Sequence, residues 1–267
     1  MRFTVITINR NNRDGLLRTI ESVVGQTCRD YEYVVIDGAS TDGSVEVIKR
    51  YADHITYWVS EPDRGIYHAM NKGVARAHGD YCLFMNSGDC MHDTRVLERI
   101  DSLHTSEDVI IGKVAIDDQG HTMSPPPATE LTFYHLFSGA IPHQAAFIRT
   151  TLLKDFPYDE SLKIVADWKF FLKTLIIDNR PVRYLDLLVA NYDTSGLSTL
   201  NPQLVRQEKE QVLTAMFPPR ILADYRHWKQ SECLTQSLTP QLRRAYTVDR
   251  LVYRLASFLL KFSRNKR

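Results

Sequence analysis

Excess charge, cysteine and long apolar runs are all scarce in this sequence. The 33 basic and 32 acidic side chains leave a formal net charge of +1, so no general affinity for nucleic acid is expected. Cys28, Cys82, Cys90 and Cys233 lack the paired spacing of a metal site, which predicts reduced thiols in a cytosolic protein. No apolar stretch reaches the length of about 18 residues that spans a bilayer.

Neither a leader nor an internal repeat is predicted. A strand pattern begins at Phe3, which leaves no room for a signal peptide and predicts a cytoplasmic location. The only biased stretch is a Ser-Pro-Pro-Pro connector at 124–127. With 43% hydrophobic residues among 267, the chain can form one large core and still leave a surplus at its C-terminal end.

Apolar strand patterns alternate with helical periodicity in the N-terminal third of the chain. Strands are predicted at 3–8, 33–36, 55–59 and from 81, and helices at 16–24, 44–51 and 66–77. This alternation predicts an α/β fold with a Rossmann-like, mostly parallel sheet flanked by helices. Ligands of such folds gather beyond the carboxyl ends of the strands, so the polar segments there are the candidate site.

The first two strands end in residues that suit a nucleotide base. Thr7 and Asn9 end the first strand, and Asp37 ends the second. A carboxylate here can accept a hydrogen bond from N3–H of uracil, and backbone groups near Thr7 can complete the edge of the base. The alternative is that Asp37, like Asp42, only shapes the turn.

The strand that starts at Tyr81 ends in a small polar turn, Asn86-Ser87-Gly88-Asp89. Its single carboxylate, Asp89, can hold a divalent metal against a nucleotide diphosphate. An Asp after a strand is also a common helix cap. Whether Asp89 is a metal ligand or a helix cap therefore has to be judged from the other segments of the chain.

Two later segments place polar groups at the start of predicted helices. Glu61 to Lys72 forms a Pro/Gly loop and then a helix, where free N–H groups and Arg64 suit an anionic ligand. A surface turn with a solvated arginine is the alternative. Asp167, which precedes Trp168, lies at the start of another helix and could simply be favoured there by the helix dipole.

Taken in order, five segments resemble the family 2 inverting glycosyltransferases with the GT-A fold, of the bacterial cell-surface polysaccharide type. They are 5–9, 34–44, 61–73, 84–89 and 165–168, and the resemblance covers roughly the first 200 residues. It implies a metal-dependent, hexosyltransferase-type enzyme. Such an enzyme would move a sugar from a nucleotide sugar, with UDP expected, to a hydroxyl of a glycan or lipid-linked acceptor with inversion.

The resemblance also implies roles for individual residues. Asp167 is expected to be the catalytic base and Asp89 the ligand of Mn²⁺ or Mg²⁺. The expected nucleotide-sugar site comprises Thr7, Asn9, Asp37, Asp63, Arg64, Asn71, Asn86 and Ser87. His143 and Gln144 are expected on the acceptor side, and Ser198 in a loop that closes over the diphosphate, although a structural histidine and a plain surface loop remain alternatives.

The chain departs from the usual family pattern at two glycines. Gly38 and Gly88 stand where further acids are common. These thinned acids allow a second interpretation, a catalytically dead nucleotide-binding scaffold module, against which Asp167 argues. A third is a sugar nucleotidyltransferase, but residues 9–15 do not form the glycine-rich, basic phosphate loop expected after its first strand.

The C-terminal segment changes to helix without strands. We expect a catalytic domain at 1–200, with a nucleotide-sugar part at about 1–115 and an acceptor part at about 116–200, and a helical extension at 201–267. Within 248–267, basic and apolar side chains fall on opposite stripes, which predicts a helix that binds an anionic membrane surface at the inner face of the cell membrane. Packing on the domain, or on another subunit in a homodimer, is the alternative.

Overall fold

The computed structural model describes residues 2–116, 121–123 and 131–231. Its first part has the predicted alternation of strands and helices: β1 (Phe3–Asn9), α1 (Arg13–Val24), β2 (Tyr31–Asp37), α2 (Ser44–Arg50), β3 (Tyr57–Ser60), α3 (Ile66–Arg76) and β4 (Tyr81–Phe84). Every residue of β1 is buried, as expected for a strand covered on both faces. The predicted α/β class with a sheet flanked by helices is confirmed.

The second part adds shorter elements. They are β5 (Cys90–Met91), α4 (Val96–Asp101), β6 (Val109–Ala115), β7 (Thr122–Met123), α5 (Phe133–Ser138), β8 (Ala146–Arg149), α6 (Thr150–Asp155), α7 (Ala166–Phe171), β9 (Val182–Asn191), α8 (Leu197–Leu200) and α9 (Pro202–Met216). Short 3₁₀ helices lie at Ala52–His54 and, before β8, at His143–Ala145, and a π-helical turn, Leu172–Ile177, continues α7.

Within the described residues, nine strands form one mixed sheet. Its order is β3-β2-β1-β4-β8-β6-β9-β5, with β7 paired to β6. β1 is parallel to both β2 and β4, and β2 is parallel to β3, whereas β8 is antiparallel to β4 and to β6. The antiparallel pairings were not predicted, because an apolar strand pattern carries no information about strand direction.

The position of β1 places the site. β1 lies between β2, the next strand in sequence, and β4, which is added on the other side. This reversal of strand order is a topological switch point, where the loops after neighbouring strands diverge and leave a crevice. The crevice lies beyond Asn9 at the end of β1 and Phe84 at the end of β4.

An aromatic cluster joins α3, β4 and α7 below this crevice. The ring of Tyr158 lies 5.6 Å from that of Tyr67, and 5.5 Å from those of Phe84 and Phe170. Pairs at this spacing contribute about 0.5–1.5 kcal/mol beyond their buried area. The cluster fixes α7 against the first part of the sheet.

The chain packs as two compact units, Met1–Val212 and Leu213–Arg267. In the second unit, residues 219–231 are helical and Leu222 is buried. The predicted membrane-binding helix at 248–267 lies outside the described residues, so that interpretation stays a prediction, as does the domain boundary at residue 200. Among the described residues, no helix has the length and apolar character needed to cross a membrane.

Candidate active site

A cleft of about 920 Å³ opens at the carboxyl ends of β1 and β4. It brings together nine of the residues predicted from the sequence: Asn9, Asp63, Arg64, Asn86, Ser87, Asp89, His143, Gln144 and Asp167. Of the other predicted residues whose side chains are described, Thr7, Asp37 and Asn71 do not line it. Residues separated by more than 150 positions therefore converge at the switch point of the sheet.

Asp167 lies in the first turn of α7 and both of its carboxylate oxygens are hydrogen bonded. The hydroxyl of Tyr67 donates to Oδ1 at 2.8 Å, and Oδ2 lies 2.9 Å from Nδ1 of His143. Burial alone would raise the pKa of Asp167, but the hydrogen bond and charge of His143, with the hydroxyl of Tyr67, hold it below its ordinary value. Asp167 is therefore an ionised carboxylate at neutral pH.

His143 connects Asp167 to the end of β4. Burial alone would lower the pKa of His143, but the hydrogen bond and charge of Asp167 raise it above its ordinary value. Its Nε2 lies 3.1 Å from Nδ2 of Asn86, while Oδ1 of Asn86 is buried and has no partner among the described residues. Rotating the amide by half a turn gives Nε2–H an acceptor, which is the arrangement that a protonated His143 requires.

Asp89 is a nearly buried carboxylate in the turn after β4. Burial raises its pKa to about 6, against the opposing effects of the Asp193 N–H, which donates to Oδ1 at 2.9 Å, the charge of His143 and a hydrogen bond from Gln144. Thr19 of α1 holds the turn by donating to the Asp89 carbonyl at 2.7 Å. A carboxylate whose charge is disfavoured by burial fits a divalent cation.

Asp193 brings a second carboxylate to this turn. Gly88 has φ of +111°, and a Cβ at that position would overlap Oδ2 of Asp193. Glycine is thus required at 88 both by the backbone conformation and by the approach of Asp193. Sequence reasoning did not single out Asp193.

Asp37 has to be reassigned. Its carboxylate is fully buried and accepts four hydrogen bonds: from Nδ2 of Asn9 at 2.8 Å, from the backbone N–H of Ser40 at 2.9 Å, from the hydroxyl of Ser40 at 2.6 Å, and from the hydroxyl of Ser60 at 2.6 Å. A carboxylate has about four lone-pair positions, so none remains for a nucleotide base. Asp37 ties the ends of β1, β2 and β3 together.

Asp63 occupies the place left by the missing acid at position 38. A Cβ at Gly38 would lie 2.6 Å from Oδ2 of Asp63, which comes from the loop between β3 and α3. Asp63 is half-buried and lines the cleft, and its Oδ1 accepts from the N–H of Gly65 at 3.1 Å. Here the carboxylate facing the cleft belongs to Asp63, not to Asp37.

Two further predicted binding residues have structural roles. The hydroxyl of Thr7 is fully buried, 2.7 Å from the Met85 carbonyl and 2.9 Å from the hydroxyl of Tyr33. Asn71 exchanges two hydrogen bonds with the backbone of Tyr158, at 2.8 and 3.0 Å. Neither lines the cleft, because in each case the polar atoms are used within the fold.

Arg64 carries an exposed positive charge at the rim of the cleft. Its side chain is 73% exposed and forms an ion pair at 2.6 Å with Glu160, which lies in the loop that leads to α7. An exposed pair of this kind contributes at most about 1 kcal/mol, so Arg64 can exchange Glu160 for an anionic ligand at little cost. The predicted loop residue Ser198 lies within α8, and its side chain is not among those that the structure describes.

Comparison with known proteins assigns the chain to a family. Residues 4–157 match the family described as Glycosyl transferase family 2. The chain belongs to this family. It is 34% identical over 203 residues to an uncharacterized glycosyltransferase of Mycobacterium tuberculosis, covering 73% of this chain and 76% of that protein. The family membership predicted from the sequence is confirmed.

Two other similarities inform the fold and the role. A PGL/p-HBAD biosynthesis glycosyltransferase of Mycobacterium bovis is 29% identical over 201 residues, 73% of this chain and 77% of that protein. The structure of glucosyl-3-phosphoglycerate synthase from Mycobacterium tuberculosis, in complex with Mn²⁺, UDP and glucosyl-3-phosphoglycerate, matches with a TM-score of 0.56. It is 18% identical and the match covers 80% of this chain and 79% of that one, a similarity of fold.

The reassignment of Asp37 can be tested with Asp37→Asn. We expect the free energy of unfolding to fall by about 3 kcal/mol. The NH₂ group of the asparagine would replace one carboxylate oxygen and so face buried donors that need an acceptor. Chemical denaturation measures this loss, with the exposed Asp53→Asn as the matched control. A variant of parental stability that has lost UDP binding would show that Asp37 binds the base directly.

Proposed function

We propose that this glycosyltransferase is an inverting, metal-dependent enzyme of the hexosyltransferase type. It transfers a sugar from a UDP-sugar to a hydroxyl of a glycan or lipid-linked acceptor in surface polysaccharide synthesis, in the cytoplasm or on the inner face of the membrane. The observation that carries the proposal is the ionised Asp167 in the cleft, hydrogen bonded on both oxygens to Tyr67 and His143. The biosynthetic role of the Mycobacterium bovis relative supports the direction of transfer.

Asp167 acts as the general base. Inversion in a single displacement needs one group that takes the proton of the acceptor hydroxyl as its oxygen attacks from the face opposite the leaving group. Tyr67, His143 and the backbone N–H of Trp168 hydrogen-bond the Asp167 carboxylate, which has about four lone-pair positions and so keeps one for the acceptor O–H. Tyr67 and His143 hold the carboxylate in place and keep their own protonation states during the step.

Asp89 and Asp193 are the carboxylates that would hold Mn²⁺ or Mg²⁺. The described residues contain no group of three His, Cys, Asp or Glu side chains able to bind a metal by themselves. Two carboxylates, waters and the diphosphate of the donor make up a suitable oxygen set for these ions. When bound, the ion would stabilise the negative charge that develops on the departing diphosphate.

The donor lies along the cleft from β1 to β4. Asp63 faces the cleft beside Gly38 and is placed to accept the N3–H of uracil. Arg64 stands at the rim and can pair with the diphosphate. The UDP and Mn²⁺ in the structure of the fold neighbour support this choice of base and ion.

The alternatives drawn from the sequence are less well supported. The family match favours sugar transfer over nucleotidyl transfer. A dead scaffold would have no use for an ionised acid placed in the cleft by a histidine and a tyrosine. The carboxylates of Asp63 and Asp193 also fill the spaces beside Gly38 and Gly88 that first suggested such a scaffold.

The base is tested by Asp167→Asn. We expect transfer to fall by a factor of roughly 10² or more, since the amide cannot take the proton, while UDP binding is retained. Sugar transfer and UDP calorimetry are measured side by side, with the exposed Asp155→Asn as the matched control. Transfer by Asp167→Asn at the parental rate would remove Asp167 from the mechanism.

The metal site is tested by Asp89→Asn. We expect Mn²⁺ to increase the affinity of the parent for UDP and to leave that of the variant unchanged, because the ion loses its buried carboxylate. The folded-state pKa of about 6 lies above the ordinary value, so the ionised form is destabilising above pH 6 and the variant should melt no lower than the parent at pH 7.5 in EDTA. Calorimetry with and without Mn²⁺ decides, with the exposed Asp14→Asn as control. An equal gain from Mn²⁺ in both proteins would contradict the assignment.

A further inference from the structure

We propose that Glu208, on the buried side of α9, is a positioning residue for Asp167. The catalytic unit then extends past residue 200, where the sequence placed the start of a separate extension. This inference rests on the proposed role of Asp167 as the base. It concerns only contacts within the first compact unit, Met1–Val212.

The carboxylate of Glu208 receives three consecutive backbone N–H groups. Its Oε1 accepts from Lys163 at 2.7 Å, and its Oε2 accepts from Ile164 at 2.9 Å and from Val165 at 3.2 Å. Glu208 itself is only 6% exposed. A buried carboxylate is costly unless it is hydrogen bonded, and these three bonds provide that compensation.

The three N–H groups belong to the segment that leads into α7. Val165 is the residue before that helix and its side chain makes no capping hydrogen bond. α7 has six residues and its π-helical continuation has six more, and a helical segment of this length has little stability of its own. The anchored segment ends two residues before Asp167, so Glu208 sets where the helix starts and where the base points.

Lys209, the next residue of α9, holds the segment near His143, the partner of Asp167. The ammonium of Lys209 donates to the carbonyl of Gly139 at 2.6 Å and lies 4.7 Å from the ring centre of Trp168. Gly139 precedes the segment that carries His143, and Trp168 follows Asp167. Glu208 therefore holds the segment before Asp167, and Lys209 holds the segment before His143. Both anchors act on the 2.9 Å contact between His143 and Asp167.

A displaced base would affect chemistry more than donor binding. The residues assigned to the donor lie at the end of β1 and in the loops after β3 and β4, and none of the three hydrogen bonds of Glu208 reaches them. A misplacement of about 1 Å between reacting groups can lower a rate on the order of 10²-fold. Loss of the Glu208 anchor should accordingly lower kcat and leave the KM for the donor nearly unchanged.

The test is Glu208→Gln in the full chain, with Glu210→Gln on the exposed side of α9 as the matched control. We expect kcat to fall by about tenfold to a hundredfold, with the donor KM within about twofold of the parent. NMR titration of the His143 ring gives a readout that needs no turnover. Its pKa should fall toward the value found in Asp167→Asn, because the carboxylate moves away. A thermal melt confirms the fold.

Glu208→Asp supplies the conservative variant. It keeps the charge but is shorter by one methylene, so we expect a kcat between those of the parent and Glu208→Gln, and it takes over the test if Glu208→Gln does not fold. A parental kcat, or a lower kcat with an unchanged His143 pKa, would overturn the positioning role. Turnover retained in Asp167→Asn would instead overturn the proposed base, while the His143 titration still tests the anchor.

Discussion

The pairing of Asp167 with His143 is the constraint around which the cleft is organised. Both side chains are largely removed from water, and a charge on either would be costly without the other. The pair must therefore be held at 2.9 Å by the surrounding structure, because Asp167 lies in the first turn of α7 and His143 begins a three-residue 3₁₀ helix. The aromatic cluster under α7 and the contacts from α9 supply that rigidity.

The acids of this site are distributed in an unusual way along the chain. Gly38 and Gly88 have no side chain, and the space that a side chain would take is occupied by a carboxylate from another loop. Asp63 and Asp193 are these carboxylates, and each is fixed by a hydrogen bond from a nearby backbone N–H, of Gly65 and of Ser195. Counting acids within a motif therefore underestimates the charge that the folded cleft presents.

The sequence predicted the cleft well where side chains follow directly from strand ends. Asn9, Asn86 and Asp89 meet because the carboxyl ends of parallel neighbours lie at one edge of the sheet. The side-chain oxygens of Thr7 and Asp37 are already hydrogen bonded within the fold, to the Met85 carbonyl and the Ser60 hydroxyl among others, and a strand pattern cannot show that a polar atom has such partners.

What sequence reasoning missed depends on contacts between distant segments. Tyr67 lies inside a recognised motif, but its partner Asp167 is 100 positions away. Glu208 is one of several polar residues on an amphipathic helix, and only the fold shows that its carboxylate is buried against Lys163, Ile164 and Val165. Periodicity identifies the buried face of a helix but not the segment that the face will meet.

The stereochemistry of sugar release tests the single displacement with one base most directly. UDP-N-acetylglucosamine and UDP-glucose carry α-linked sugars, and slow transfer to water in the presence of Mn²⁺ requires no knowledge of the acceptor. Proton NMR recorded before mutarotation shows which anomer is released first. Attack assisted by Asp167 from the face opposite the diphosphate predicts the β anomer. Release of the α anomer would contradict inversion and, with it, the role assigned to Asp167.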